Sequence, residues 1–469
     1  VSENDLDEDT VSGNELEEEE ENKALKGFAG MPSDYKLTST QMDSKKNLSG
    51  RMGEIGNFKE GSDYVAGQVV TMAESQEEAE MIAEAYNAEI ESFAYGVLTL
   101  KLEQEVPVEA ALQVAADLEL NMPAVWPNYY RHLLTDEPAD GIEIETEEYD
   151  VDGAEISAAE DTSYLSVITD EYLQPDNTYY QWHHTAIGSP YAWLEGYTGK
   201  GIKVAVLDSG VASHSDLPSV KSLNDTGSSD AVGHGTHVAG IIGASANGKL
   251  GVGVAPEAEL YSYNLGGITT KDIVEGIYAA AGKSAQAGGT ESAPVDVINM
   301  SIGGLGWSDL EITAIEYAYG KSVAIFASAG NDGGQTYSYP ACYDHVISVA
   351  ATDKNNERAS FSSYCNMVDL SAPGVDIWSA DNGNPDGYVS MQGTSMACPV
   401  AAGEAAVILS ANEELRNMTG GARVDALESL MKKNANKAGS GMGSGITSLT
   451  KVFGLSTAAV KPAAPVIDI

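Results

Sequence analysis

Between residues 176 and 455 the chain alternates short, continuous apolar runs with stretches of helical periodicity. Apolar runs without a polar face are typical of strands buried on both sides of a sheet. These runs are KVAVLD (203–208), VDVINMSI (295–302), VAIFASAG (323–330) and VISVAAT (346–352). The helical stretches between them are Thr236–Ala244, Thr270–Ala285, Leu310–Gly320 and Ser395–Asn412. The alternation predicts an α/β domain, a three-layer sandwich with helices on both faces of a mostly parallel sheet.

A second, smaller unit precedes this domain, over residues 61–134. Its patterns follow the order β-α-β-β-α-β, which is the split βαβ arrangement of a small α+β domain. The strand-like segments are Val65–Met72, Ile90–Phe93, Gly96–Leu102 and Val125–His132, and the helical ones are Gln76–Tyr86 and Val108–Leu118. The pattern alone indicates no function, because one fold serves many functions.

Acidic segments flank the small unit. Residues 1–60 cannot bury enough apolar surface to fold, so we expect a disordered segment. Residues 135–175 are predicted to form an exposed acidic linker, and residues 456–469 a C-terminal linker that could lead into a further module.

The formal net charge of −46 disfavours nucleic acid and anionic membranes as partners. No apolar run approaches the roughly 18–20 residues of a membrane span, and we expect any secretory signal to have been removed before Val1.

Three segments carry the residue types of nucleophilic acyl transfer. Asp208 ends the strand KVAVLD, His234 opens HGTHVAGII, and Ser395 lies in GTSMACP at the start of an apolar helix. A carboxylate can orient an imidazole, the imidazole can take a hydroxyl proton, and the hydroxyl can attack a carbonyl carbon. No histidine follows Ser395, so the order Ser…Asp…His of α/β-hydrolases is impossible with this serine. The order Asp…His…Ser is that of subtilisin.

VAVLDSGV, HGTHVAGIIG and GTSMACP together closely resemble the three active-site signatures of the subtilisin family of serine peptidases, over about residues 181–455. The resemblance implies that Asp208 orients, His234 is general base and then acid, and Ser395 is the nucleophile. It also implies that the Asn331 amide in SAGNDG donates to the oxyanion beside the Ser395 backbone N–H.

The resemblance further implies how an extended peptide binds. It implies an edge strand that pairs with the substrate backbone, formed by Ser301, Ile302 and Gly303. It also implies a specificity pocket, lined by Ser328, Ala329, Gly330, Asp332 and Ser338. The residue types do not decide which substrate side chain this pocket prefers.

By the same resemblance, residues 61–134 look like the family's inhibitory and chaperone propeptide, whose tail lies along the cleft as a product does. The chain is then expected to be a zymogen that cuts itself once, between about Tyr130 and Asp176. The acidic linker contains or flanks that bond.

Calcium is a further expectation from the family, which often binds Ca²⁺ near its first two motifs. Asp216 and Asn247 fall at the matching positions. Because Ca²⁺ prefers oxygen ligands, backbone oxygens could add to the site, those of Ser245, Lys249 and Gly251. The alternative is a loop closed by turn residues without an ion.

His237 lies three residues after His234, which could suggest a pair of metal ligands. No third metal ligand is evident, so we predict a structural role for His237.

The chain has three cysteines, Cys342, Cys365 and Cys398, and no C-x-x-C motif, which excludes a zinc ribbon or a thioredoxin-type redox site. Cys342 and Cys365 could form a disulfide, or all three thiols could stay reduced, and both alternatives stand. The closely spaced glycines of GGLGWS (303–308) lack the context of a nucleotide-binding fingerprint.

The sequence thus predicts a secreted, monomeric serine endopeptidase that hydrolyses extended protein or peptide substrates and is inhibited by its own propeptide. A further C-terminal module could associate it with the cell wall. Two alternatives remain: a dedicated protease that processes one precursor, and a catalytically silent protein that captures extended peptides. The presence of the three triad residues and Asn331 argues against the silent protein.

Overall fold

The computed structural model describes residues 27–104, 106–134, 170–173, 177, 180–224, 227 and 229–455. The described chain divides into two compact units. The first comprises the chain up to Tyr129 with Ala285–Gly289 and Ser308–Leu310, and the second comprises Tyr130–Ser284, Thr290–Trp307 and the chain from Glu311 onward. The predicted segments 1–26, 135–169 and 456–469 lie outside the described residues.

The first unit contains a four-stranded antiparallel sheet in the order β2-β3-β1-β4. Its strands are β1 (Tyr64–Met72), β2 (Ala88–Ala94), β3 (Val97–Leu102) and β4 (Trp126–Tyr129). Its helices are α1 (Ser39–Ile55), α2 (Gln76–Ala85) and α3 (Val108–Ala116). From β1 onward the element order is β-α-β-β-α-β, so the predicted α+β arrangement is confirmed.

Helix α1 corrects the prediction that residues 1–60 are disordered, which is wrong for residues 27–60. A capping box starts the helix, because the Thr38 hydroxyl accepts from the Gln41 backbone and the Gln41 side chain accepts from the Thr38 backbone. Leu48 and Ile55 are buried on one face. The prediction rested on the average polarity of the segment, which does not reveal a short apolar stripe. This stripe packs within the first unit although most of the surrounding residues are polar.

The second unit is built on a seven-stranded sheet in the order β13-β12-β11-β9-β6-β8-β7. Every pairing in it is parallel. The strands are β6 (Lys203–Asp208), β7 (Lys221–Ser222), β8 (Glu259–Asn264), β9 (Val297–Met300), β11 (Ala324–Ser328), β12 (Val346–Thr352) and β13 (Leu370–Pro373). Two pairs lie outside this sheet, β5 (His132–Leu133) with β10 (Ile302–Gly303), and β14 (Ile377–Asp381) with β15 (Asn384–Met391).

Helices flank this sheet, which confirms the predicted α/β sandwich. They are α4 (Trp182–Ile187), α5 (Ser189–Leu194), α6 (His234–Gly243), α7 (Thr270–Ala280), α8 (Asp309–Gly320), α9 (Thr394–Ala411), α10 (Glu413–Asn417), α11 (Gly421–Lys433) and α12 (Leu449–Phe453). Side chains from α6, α9 and the sheet form the main core, among them Val206, Ile241, Phe326, Val349 and Ala401. In length and mean hydropathy α9 could cross a membrane, but 89% of it is buried, as in a core helix of a globular domain.

The strand order of the seven-stranded sheet indicates where a ligand would bind. From β6 the chain passes to β7 at the edge of the sheet, comes back to β8 beside β6, and then crosses to β9 on the other side of β6. In open parallel sheets, ligands bind at the carboxyl ends of the strands where the order reverses in this way. Asp208 is the last residue of β6, so it lies at that point.

The predicted exposed linker 135–175 is wrong at Asp170, which is fully buried. One Asp170 carboxylate oxygen accepts from the Asn247 backbone N–H at 3.2 Å. Burial raises the pKa of Asp170 to about 6. The acidic composition of the linker gave no sign that this one carboxyl group packs against a loop about eighty residues farther along the chain.

Candidate active site

The carboxylate of Asp208 and the imidazole of His234 form a buried pair. Nδ1 of His234 lies 2.7 Å from Oδ1 and 2.9 Å from Oδ2 of Asp208. The carboxylate also accepts from the Ser209 backbone N–H at 2.7 Å. A proton on Nδ1 satisfies the carboxylate and leaves the Nε2 lone pair available as a base.

Glycine is required where α6 approaches the end of β6. His234 begins this helix, and Gly235 follows it. A Cβ atom on Gly235 would lie 2.1 Å from the carbonyl oxygen of Gly210 and 3.1 Å from Oδ1 of Asp208. The glycine after the histidine in HGTH therefore lets the imidazole reach the carboxylate.

Ser395 lies in the first turn of α9 and is fully buried. Its hydroxyl donates to the carbonyl oxygen of Ser301 at 2.9 Å, and the Ser301 hydroxyl donates to the carbonyl oxygen of Ser395 at 2.8 Å. Among the described residues, Nε2 of His234 has no hydrogen-bond partner. The hydrogen bond from serine to imidazole is thus not formed here, as is common before a reacting complex tightens.

The carbonyl oxygen of Leu134 receives two hydrogen bonds. Nδ2 of Asn331 donates to it at 2.6 Å, and the Ser395 backbone N–H donates at 3.4 Å. Oδ1 of Asn331 accepts from the backbone and the hydroxyl of Thr394, at 3.0 and 2.8 Å, which orients the amide. Gly393 has φ 151°, and a Cβ atom there would lie 2.3 Å from the Leu134 oxygen. Two donors on one carbonyl oxygen are the arrangement of an oxyanion hole.

Residues 130–134 run through the second unit as an extended segment. In antiparallel register, Leu133 pairs with Ile302 and His132 with Gly303. On the opposite side, the Arg131 backbone N–H donates to the carbonyl oxygen of Ile268 at 2.7 Å. Two of the three residues expected in the edge strand therefore pair with an extended chain, whereas Ser301 contacts Ser395 instead.

The residues predicted to line a specificity pocket have different environments. Ser328, Ala329, Gly330 and Ser338 are buried, whereas Asp332 is exposed. A Cβ atom on Gly303 would lie 2.6 Å from Cδ1 of Leu134 and 2.3 Å from the Ser338 hydroxyl oxygen, so both side chains pack on this glycine. The Asp332 backbone donates to Ser363 at 3.3 Å. A role for Asp332 in selecting substrates stays a prediction.

Sequence reasoning missed the ion pair between Arg131 and Glu311. Nη2 of Arg131 lies 2.8 and 2.9 Å from the two carboxylate oxygens, and neither side chain is exposed. The two residues are 180 positions apart, so no local pattern connects them. The one indication in the sequence was that Arg131, a charged residue, lies in the tail expected to occupy the cleft.

Asp216 and Asn247 lie together and are hydrogen-bonded to each other, and a calcium ion at this place stays a prediction. Nδ2 of Asn247 and the Tyr388 hydroxyl each donate to one carboxylate oxygen of Asp216, at 2.7 and 3.0 Å. Oδ1 of Asn247 accepts from the Lys249 backbone at 3.0 Å. Among the described residues, no group of three or more His, Cys, Asp or Glu could hold a metal ion.

His237 is structural, as predicted. Its Nε2 donates to the carbonyl oxygens of Ile377 and Val389, both at 3.0 Å, and burial lowers its pKa to about 3.

Of the two alternatives for the cysteines, the structure agrees with the one in which all three thiols are reduced. The sulfur atoms of Cys342 and Cys365 lie 3.9 Å apart without a bond.

Comparisons with known proteins identify the family of this chain. A family profile described as the subtilase family matches residues 199–454. An alkaline protease of Alkalihalobacillus alcalophilus is 35% identical over 322 residues, which cover 67% of this chain and 81% of that protein. Subtilisin Savinase of Lederbergia lenta is 38% identical over 242 residues, which cover 50% of this chain and 87% of that protein.

Solved structures give the same result. The fold is similar to that of fervidolysin from Fervidobacterium pennivorans, described as a keratinolytic enzyme related to subtilisin, with a TM-score of 0.65 and 26% identity. That match covers 85% of this chain and 62% of fervidolysin. A protease from Pseudoalteromonas arctica matches with a TM-score of 0.53 and 29% identity, over 62% of this chain and 99% of that one. The chain therefore belongs to the subtilase family of serine endopeptidases.

Proposed function

We propose that this chain is the proenzyme of a subtilisin-type endopeptidase and that it cuts its own Leu134–Thr135 bond. The observation that carries the proposal is the Leu134 carbonyl oxygen, which accepts from both Asn331 and the Ser395 backbone N–H. Donors aimed at one carbonyl oxygen mark that carbonyl as the group to be attacked. The first unit is then the propeptide, and residues 130–134 are the tail that inhibits the enzyme by occupying its cleft.

In the proposed reaction the Ser395 hydroxyl turns from the Ser301 carbonyl toward Nε2 of His234. Nε2 takes the hydroxyl proton as Oγ attacks the carbonyl carbon, and Asp208 holds Nδ1–H and stabilises the imidazolium. Asn331 and the Ser395 N–H stabilise the oxyanion. The imidazolium then protonates the leaving amine, and water, deprotonated by Nε2, releases the acyl group from Ser395.

Extended proteins or peptides are the proposed substrates, since β10 pairs antiparallel with the tail through its backbone. Such pairing is independent of most side chains. We also propose extracellular action, which rests on the resemblance to subtilisin-type proteases. The monomeric state and cell-wall association stay predictions.

The test compares Ser395→Ala with Ser222→Ala, a change at an exposed serine of the same unit. Replacing the nucleophile of subtilisin lowers kcat about 10⁶-fold, and we expect a loss of that order here. Mass spectrometry of the incubated chain should find a cut after Leu134 with Ser222→Ala and an intact chain with Ser395→Ala. Only the Ser222→Ala chain should react stoichiometrically with a serine-directed phosphonate.

Self-cleavage by purified Ser395→Ala would show that another residue is the nucleophile. A cut at a different bond would reject the assignment of Leu134–Thr135. An unreplaced chain that neither cleaves nor reacts with the phosphonate would favour the alternative of a silent peptide-binding protein, in keeping with the unformed bond between Ser395 and His234.

A further inference from the structure

We propose that Glu311 makes this peptidase selective for substrates with arginine three residues before the residue whose carbonyl is attacked. The proposal rests on the proposed function, because it takes the tail 130–134 as a bound substrate segment. In that segment Arg131 is the arginine and Leu134 carries the attacked carbonyl.

The arginine side chain is surrounded by oxygen acceptors. Nη2 donates to both carboxylate oxygens of Glu311, at 2.8 and 2.9 Å, and to the carbonyl oxygen of Gly306 at 2.8 Å. Nη1 donates to the carbonyl oxygen of Leu305 at 2.8 Å. A planar guanidinium with several fixed N–H groups matches this set, whereas an ammonium on a flexible chain does not.

Burial makes the pair selective. Neither side chain is exposed when the tail is bound. A neutral side chain in place of Arg131 would leave the Glu311 carboxylate without a counter-charge in the same dry pocket. Breaking a buried ion pair in this way is strongly unfavourable, so we expect alanine at this position to lower kcat/KM about 10²–10³-fold.

The backbone links the arginine to the bond that is cut. The Arg131 N–H donates to Ile268, and the next two residues pair with Gly303 and Ile302 in fixed register. A slip by one residue would turn every side chain of the segment to the opposite face. Placing arginine against Glu311 therefore places the third residue after it in the oxyanion hole.

The acidic linker agrees with this selectivity. Residues 135–175 contain neither arginine nor lysine. Once the segment before residue 135 has been cut, the linker offers no second sequence that would satisfy Glu311. A single cut at Leu134–Thr135 is thus expected although the linker is long and acidic. This would also make the enzyme closer to a processing protease than to a general one.

The test uses the enzyme after self-processing and removal of the released segment 1–134, with two fluorogenic peptides, Arg-His-Leu-Leu and Ala-His-Leu-Leu, each with the reporter after the last leucine. The chain should prefer the arginine peptide by about 10²–10³-fold in kcat/KM. Glu311→Leu should reduce this ratio to within about tenfold. Glu316→Gln, an exposed glutamate on the same helix, should leave the ratio unchanged.

Equal cleavage of both peptides by the unreplaced enzyme would overturn the proposal while leaving the proposed function intact. Cleavage of neither peptide, with an intact precursor, would count against the proposed function itself. Because Glu311→Leu could impair maturation, precursors with Arg131→Ala and Arg131→Lys provide a second measurement. Self-cleavage should be slowed about 10²–10³-fold by alanine and less by lysine, and an unchanged rate with alanine would reject the selectivity.

Discussion

Glu311 and Glu404 are two buried carboxyl groups in the second unit, and they are accommodated in opposite ways. Glu311 is matched by the guanidinium of Arg131 at 2.8 Å. Glu404 lies inside α9, 1% exposed, and accepts a hydrogen bond from the Thr447 hydroxyl. Burial raises the pKa of Glu404 to about 8, so this carboxyl group is mostly protonated at pH 7.

Under the proposed selectivity, this difference distinguishes a residue that binds substrate, Glu311, from a structural one, Glu404. A buried acid is tolerated either when it becomes neutral or when a cation accompanies it. The partner of Glu404 belongs to the permanent core of the unit. In the proposed reaction the partner of Glu311 belongs to a segment that is released when the chain is cut, and such a temporary partner is what we expect of a binding pocket. Changes to either partner test this distinction, and stability is measured in Ser395→Ala chains to prevent self-cleavage.

Removal of Arg131 should have the largest effect on stability. We expect Arg131→Met to lower the free energy of unfolding by about 3–5 kcal/mol, because it leaves Glu311 buried without a counter-charge. Arg131→Met with Glu311→Leu should be nearly neutral, since both charges are then gone. Denaturant unfolding of the precursors measures both, with Arg51→Met, which breaks a partly exposed pair with Glu54, as the control. Additive effects of the two single changes would contradict a coupled pair.

Much of the fold could be predicted because its signals are local. The strand KVAVLD coincides with β6, and VISVAAT with β12, since a strand buried on both faces is continuously apolar. The conformation of the motif around His234 also has a local cause, because Gly235 is needed for close approach of α6 to β6. Each of these segments contains the physical cause of its own conformation.

The features that were missed depend on distant partners. Asp170 is buried by its contact with Asn247, and Arg131 by its contact with Glu311. Neither contact can be read from neighbouring residues, and the composition of the linker suggested exposure. The Ser395 hydroxyl can donate to either of two acceptors, the Ser301 carbonyl or the imidazole of His234, and in the structure it donates to the carbonyl. A motif identifies those groups without deciding between them.

Glu404 should make the stability of the folded protein depend on pH. Its carboxyl group has a usual pKa of 4.5 when unfolded and about 8 when folded, so between these values the folded state holds a proton that the unfolded state has released. Stability should therefore fall as pH rises, by about 2–3 kcal/mol between pH 5 and pH 7. Glu404→Gln should remove this component, whereas the exposed change Glu316→Gln should not. Parallel profiles for Glu404→Gln and the parent would mean that the folded carboxyl group is ionised.

The smallest effect is expected from the partner of Glu404. Thr447→Val keeps the shape of the side chain and removes the hydroxyl that donates to the carboxyl group. At pH 5 the loss of this hydrogen bond should lower the free energy of unfolding by about 1 kcal/mol. The same hydrogen bond lowers the pKa of Glu404, so its removal should extend the fall in stability to higher pH. Thr447→Ser keeps the hydroxyl and should preserve the shape of the profile. If serine shifts the profile as far as valine does, packing of the Thr447 methyl group controls Glu404, and the comparison with Glu311 loses its electrostatic basis.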